Sequence, residues 1–155
     1  MYRLMIADDE QSIRNGLKLL IDWESLGFTI CGEAGDGDTA LGLIRSQKPD
    51  AVIIDIKMPG LSGLSVIEEA RKSGLHTRFV ILSGYSDFKY AQDAVKLGVL
   101  RYLTKPVDED ELASIMREIS DELAAEALES SKNSYLSKKT GREIVFPRIL
   151  EFMDK

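Results

Sequence analysis

Short apolar runs recur along the 155 residues, and each gives way to a longer stretch in which apolar side chains return at helical spacing. Residues 3–7 form the first run, which stops at Asp8-Asp9-Glu10. Ile13, Leu17, Leu20 and Ile21 then fall on one helical face, and Gly27 supplies a C-terminal stop after Asp22-Trp23-Glu24-Ser25-Leu26. Residues 28–34 predict a second strand, Gly35-Asp36-Gly37-Asp38 a turn, and 39–47 a helix with Ala40, Leu41, Leu43 and Ile44 inward. Residues 51–54 are apolar without alternation, which suits a central parallel strand buried on both faces, and the run ends at Asp55. Pro59 makes Met58-Pro59-Gly60 a loop. A helix over 64–72, a strand over 78–82 ending at Ser83-Gly84, and a helix over 87–97 stopped by Gly98 follow. The strand predicted over 100–104 is cut by Lys105-Pro106. The last helix, 108–128, carries Leu112, Ile115, Met116, Ile119 and Leu123 on one face, with Asp108 as N-cap and Glu111 completing the capping pattern.

Strands alternating with helices in this way predict an α/β doubly wound parallel sheet with right-handed crossovers. Composition agrees: 44% hydrophobic and 30% charged residues suit a packed domain. With 20 Lys+Arg against 26 Asp+Glu, the chain is too acidic to hold nucleic acid over its whole surface. The charge is uneven. Residues 131–155 hold six cations and three anions, so the tail is basic and the rest more acidic than the average. Cys31 is the only cysteine, which excludes an intrachain disulfide and a cysteine-based zinc site; its place in the second strand reads as a small buried hydrophobe. His76 reads as a surface loop residue. The acidic turn after the first apolar run does not read as a signal peptide, and no stretch approaches a membrane span. A cytoplasmic setting is expected, without a membrane partner.

In doubly wound sheets the working site lies beyond the carboxyl ends of the strands. Those ends carry Asp8-Asp9, Asp55, Ser83 and Lys105. Three carboxylates on one edge repel one another, and a hard divalent cation removes that cost. Mg²⁺, with its preference for carboxylate, water and phosphate oxygens, suits an acidic triad at a phosphoryl site. Lys105 is a mobile positive charge for a carboxylate or phosphoryl oxygen. Ser83 offers a hydroxyl donor, and Gly84 leaves room beside it. Each piece alone is common in turns; the ordered set is not.

This set resembles the receiver domain of bacterial two-component response regulators. The matching features are Asp8-Asp9, Asp55 with Met58-Pro59-Gly60, Ser83 and Lys105-Pro106, over about residues 2–125. The resemblance implies a flavodoxin-like five-stranded sheet of order 2-1-3-4-5 with helices on both faces. It implies that Asp55 accepts a phosphoryl group from a sensor histidine kinase. Asp8, Asp9, Asp55 and the backbone carbonyl of Lys57 would hold Mg²⁺. Lys105 would pair with the phosphoryl group, and Ser83 and Tyr102 would act as switch residues. The readout would be the face formed by the fourth helix, fifth strand and fifth helix, which is also where a homodimer is expected. Lys57 and Tyr85 would flank the phosphoryl group and hinder water, giving an aspartyl phosphate that lasts minutes. Beyond self-phosphorylation and slow autodephosphorylation no enzymatic turnover is expected.

The segments 21–28 and 82–91 resemble receivers of regulators with an AraC-type DNA-binding domain, which implies control of transcription. The domain reading is therefore a receiver over 1–128 and a linker or short tail over 129–155, with Pro147 able to open a short apolar helix. That tail is too short for the two helix-turn-helix units of such regulators, so DNA binding by this chain itself is not expected. Three readings fit it: a stand-alone single-domain regulator acting by protein contact, a linker cut short ahead of an output domain, or a docking arm. Two other classes compete with the receiver. A haloacid-dehalogenase-type phosphatase places Asp-x-Asp after its first strand, where this chain has adjacent aspartates. A flavodoxin-like binding module would work without phosphorylation.

Overall fold

The computed structural model describes residues 1–84, 98 and 101–140, with side chains as far as residue 131. Its strands are β1 (Tyr2–Ala7), β2 (Phe28–Ala34), β3 (Ala51–Asp55), β4 (Arg78–Ser83) and β5 (Arg101–Thr104). They form one parallel sheet in the order β2-β1-β3-β4-β5. Between them run α1 (Gln11–Leu20), a 3-10 turn (Glu24–Leu26), α2 (Gly37–Gln47) and α3 (Gly63–Lys72), and the C-terminal helix spans Glu109–Thr140. The helix expected over 87–97, Tyr85, and the apolar tail segment after Gly141 lie outside the described residues. Gly98, the expected stop, has a φ of 81°.

Strand order explains strand composition. β3 has a neighbour on each edge and helices over each face, so all five of its residues are buried. β2 is an edge strand, and its pairing with β1 slips between Leu4 and Met5, at Cys31. Cys31 is therefore half-buried rather than buried as expected. Met5, Ala7, Val52, Ile54 and Ile81 join Ala40, Leu41 and Ile44 of α2 and Val66, Ile67 and Ala70 of α3 in one cluster. By strand alternation Leu4, Ile6, Ile53, Val80 and Leu82 face the other side, which leaves Leu17 of α1 and Leu112, Met116 and Ile119 to cover it. His76 is exposed, as expected.

Caps place the helix starts. Asp36 accepts from the Thr39 amide at 2.7 Å, and Ser62 from the Ser65 amide at 3.2 Å. Asp108 accepts from the Glu111 amide at 2.8 Å, the expected N-cap. Asp108→Ala is expected to cost about 1 kcal/mol, read as a lower urea midpoint at unchanged slope; an unchanged midpoint would remove the cap from the account.

The last helix corrects the expected boundary. It runs to Thr140, so residues 129–140 continue the helix past the expected end at 128. The physical reason is the absence of a breaker: after Pro106 the next glycine or proline is Gly141. Two compact units divide at Ser120/Asp121, and the described residues of the second, Asp121–Thr140, are helical.

Candidate functional site

The carboxyl ends of β1, β3, β4 and β5 meet at one edge because the strands are parallel and their ends are laced together. The Ile56 amide donates to the Leu82 carbonyl at 3.4 Å, and the Lys105 amide to the Ser83 carbonyl at 2.8 Å. The Lys105-Pro106 peptide is cis. The acceptor strand is held from the helix side as well. The Gly63 amide donates to the Ile56 carbonyl at 2.7 Å, and a β-carbon at Gly63 would stand 2.2 Å from the Asp55 carbonyl oxygen. Only glycine lets α3 start this close to Asp55.

Lys105 is the centre of the charge arrangement. Its ammonium lies 3.1 Å from Asp55 Oδ2 and 3.0 Å from Asp8 Oδ2. Asp8 is fully buried and Asp55 is 5% exposed. The contact with Asp55 is an aligned hydrogen bond. Asp8 Oδ2 has the charge contact but stands among the buried polar atoms without an aligned donor. Two carboxylates thus share one ammonium. The consequence is asymmetric. Burial raises the Asp55 carboxyl above its ordinary 3.8, the charge of Asp8 adds to the rise, and the Lys105 hydrogen bond offsets only part of it. Burial also opposes the charge on Lys105, yet Asp8 and Asp55 outweigh it and hold the ammonium above its ordinary 10.5.

The expected site residues are placed as follows. Asp8 and Asp9 lie together, and with Glu10 their carboxylate oxygens come within 4.8 Å of one another. Asp55 is linked to this trio through Asp8 and their shared lysine rather than as a member of it. The Lys57 amide donates to Asp55 Oδ1 at 3.3 Å. Ser83 is fully buried and its hydroxyl donates to the Tyr102 hydroxyl at 2.5 Å, so the two expected switch residues touch, with the half-buried Tyr102 ring packed against the core cluster. A cleft of about 420 Å³ lined by Asp9, Lys57, Met58 and Ser62 opens beside the acids. Glu10 was not anticipated as a carboxylate of this edge; the run of three acids after the first strand was the signal that could have found it.

The residues present fit a hard divalent cation. A fully buried carboxylate oxygen without an aligned donor, next to two exposed carboxylates and with one lysine for compensation, is an oxygen-rich and under-neutralised site.

A parallel five-stranded sheet with acids and a lysine gathered at its carboxyl edge is the architecture of a receiver domain of a signalling regulator, not of a classical enzyme family. The chain belongs to the response regulator receiver domain family, whose model matches residues 4–117. It is 39% identical over 136 residues to the uncharacterized transcriptional regulatory protein YesN of Bacillus subtilis, covering 88% of this chain and 37% of that one. It is 40% identical over 116 residues to the transcriptional regulatory protein HptR of Staphylococcus aureus, covering 75% of this chain and 45% of that one. The chain spans less than half the length of these relatives. Among solved structures, the receiver domain of the response regulator AraT from Geobacillus stearothermophilus is similar at a TM-score of 0.78 and 34% identity, with 81% of this chain and 98% of that one covered. A two-component transcriptional regulator AraC from Clostridium phytofermentans is similar at 0.71 and 30%, with 77% and 92% covered. Among the described residues no helix is long and apolar enough to cross a membrane.

Proposed function

We propose that Asp55 accepts a phosphoryl group from the phosphohistidine of a sensor histidine kinase, and that this chain is the input part of a cytoplasmic regulator of transcription. The observation that carries the reading is the sharing of Lys105 by the buried carboxylates of Asp8 and Asp55 at the carboxyl edge of the sheet. Asp55 Oδ2 is held by Lys105 and Oδ1 by the weaker Lys57 amide contact, so the carboxylate is aimed and one oxygen remains available as nucleophile. Attack forms the aspartyl O–P bond as the N–P bond of the donor breaks, and the imidazole leaves with its electron pair and takes up a proton. Asp8, Asp9, Asp55 and the Lys57 carbonyl would hold Mg²⁺, which supplies neutralisation of phosphoryl oxygen charge. Lys105 then exchanges a carboxylate partner for a phosphoryl oxygen, and Ser83 leaves the Tyr102 hydroxyl to donate to the new group. Loss of that hydrogen bond frees Tyr102 on β5, which couples the site to the face of β5 and the C-terminal helix, where the helix expected over 87–97 would also contribute. That face is where we place a phosphorylation-driven homodimer. Lys57, exposed at the rim, would slow hydrolysis of the aspartyl phosphate. We assign residues 1–128 to the receiver and leave DNA contact to segments beyond 129–155.

Acetyl phosphate as a small-molecule donor tests this. One phosphoryl mass per chain in Mg²⁺, and none in EDTA, is the expected result by intact-mass spectrometry. Turnover of many phosphomonoester molecules without a stable adduct would indicate a phosphatase, and absence of any adduct a binding module; either overturns the proposal.

A further inference from the structure

We propose that Arg14 is a positioning residue for the acidic edge, holding the Asp8–Asp9 peptide in the orientation that presents Asp9 to a divalent cation. The inference rests on reading Asp8 and Asp9 as ligands for that cation. Arg14 lies one turn into α1, and its guanidinium is engaged on two sides. Nε contacts Glu33 Oε1 of β2 at 3.1 Å, and a terminal nitrogen donates to the main-chain carbonyl of Asp8 at 2.6 Å. Glu33 is held in turn by Lys18, one turn further along α1, with Nζ 2.6 Å from Oε2. The hydrogen bond from Lys18, with Arg14 adding to it, keeps the Glu33 carboxyl below its ordinary 4.5 despite partial burial, so it stays charged. Lys18, Glu33, Arg14 and the Asp8 carbonyl therefore form one chain of contacts across α1, β2 and the end of β1.

Three other contacts show why the Asp8 carbonyl matters. The Asp8 amide donates to the Ala34 carbonyl at 3.0 Å, Asp8 Oδ1 accepts from the Glu10 amide at 2.9 Å, and Oδ2 faces Lys105. Asp8 is thus held at its amide, its carbonyl and Oδ1, with Oδ2 left a charge contact alone, and the Arg14 bond is the one that sets the plane of the peptide leading into Asp9. Asp9 is exposed, so its backbone, not packing, aims its carboxylate. Arginine suits the task because its planar fork serves a carboxylate and a carbonyl at once at a fixed mutual angle, whereas an ammonium can reach two acceptors without fixing their geometry. Gly35 makes room for it: a β-carbon there would stand 3.3 Å from the terminal nitrogen.

The test uses the full 155-residue chain and three variants, Arg14→Gln, Arg14→Lys and Glu33→Gln. In the metal-free chain, amide hydrogen exchange at Asp9 and Glu10 is expected to quicken in Arg14→Gln while exchange at Ile53 in β3 stays as in the parent. Mg²⁺ titrated by calorimetry is expected to bind about tenfold more weakly in Arg14→Gln, by the usual size of effects on groups that orient metal ligands. Arg14→Lys is expected to weaken binding too, and Glu33→Gln to shift both readouts part of the way. A purely electrostatic role predicts the reverse sign, because removing a cation beside an acidic site tightens Mg²⁺. Tighter or unchanged binding in Arg14→Gln, or parent-like binding in Arg14→Lys, overturns the proposal. If the parent itself binds no Mg²⁺, the ligand reading fails, and unchanged exchange at Asp9 and Glu10 is then what would overturn the positioning role.

Discussion

With acetyl phosphate and Mg²⁺, the Asp55→Asn chain is expected to gain no phosphoryl mass, and in buffer alone to resist urea better than the parent at neutral pH. The first effect is complete because, among the described residues, the other carboxylate that faces Lys105 is Asp8, which is fully enclosed and holds the Glu10 amide at 2.9 Å, against 3.3 Å for the Lys57 amide on Asp55. The second follows from linkage. Burial, then the neighbouring charge of Asp8, raises the Asp55 carboxyl above its ordinary 3.8. The native chain therefore keeps a proton on Asp55 at pH values where the unfolded chain has lost it. Stability contributed by the group is present below 3.8 and is lost as pH rises through the raised value, so ionised Asp55 weakens the fold at neutral pH. Asparagine has no charge to bury and can still accept from the Lys57 amide, while Lys105 keeps Asp8. The urea midpoints of the two chains should draw apart from mildly acidic to neutral pH. Parallel curves would show that Lys105 compensates Asp55 fully, and an adduct on the variant would move the acceptor elsewhere.

Much of this site was legible along the chain because each strand end is marked by a change from apolar to charged or small residues. Asp55 closes a run in which every residue is buried, and Ser83 closes one buried from Phe79 onward, so a two-sided parallel strand announces where its chemistry begins. The capping role of Asp108 was legible for a similar reason, since its signal lies within one turn. What could not be read involves partners far apart in sequence with no motif joining them. Arg14 and Glu33 are 19 residues apart and meet only because α1 packs beside β2. Lys105 was expected to meet a phosphoryl group, but nothing local says that it first bridges two carboxylates, one of them 50 residues away. Cys31 looked buried because an edge strand and a central strand differ little in apolar content, and the slip in register beside it leaves no mark in composition. The end of the C-terminal helix is less legible: Ser, Lys and Gly over 129–143 read as linker composition, while the decisive feature is that no glycine or proline follows Pro106 before Gly141.

Removing the lysine should produce the largest loss of stability of any single change at this edge. Lys105→Met keeps the length of the side chain and deletes the charge that Asp8 and Asp55 share. Taking one partner from a buried ion pair costs about 3–5 kcal/mol when both are fully enclosed. The Lys105 side chain is 21% exposed and Asp55 can recover part of the loss by protonating, which brings the expected cost to about 2 kcal/mol. The sign with pH follows from the ammonium. Its burial is outweighed by Asp8 and Asp55, its pKa is raised above 10.5, and its contribution is therefore fully present below 10.5 and lost as pH climbs through the raised value. The gap between the two chains should be widest around neutral pH, narrow in acid as Asp55 takes up a proton, and close in strong alkali. Mg²⁺ supplies a second way to neutralise the same carboxylates, and a cation that binds the native state stabilises it in proportion to its affinity. It should therefore raise the melting midpoint of Lys105→Met more than that of the parent, and bind the variant more tightly. An equal rise in both chains would mean that the lysine and the cation do not act on the same charges, and that the carboxylates gathered at the ends of β1 and β3 are not one site.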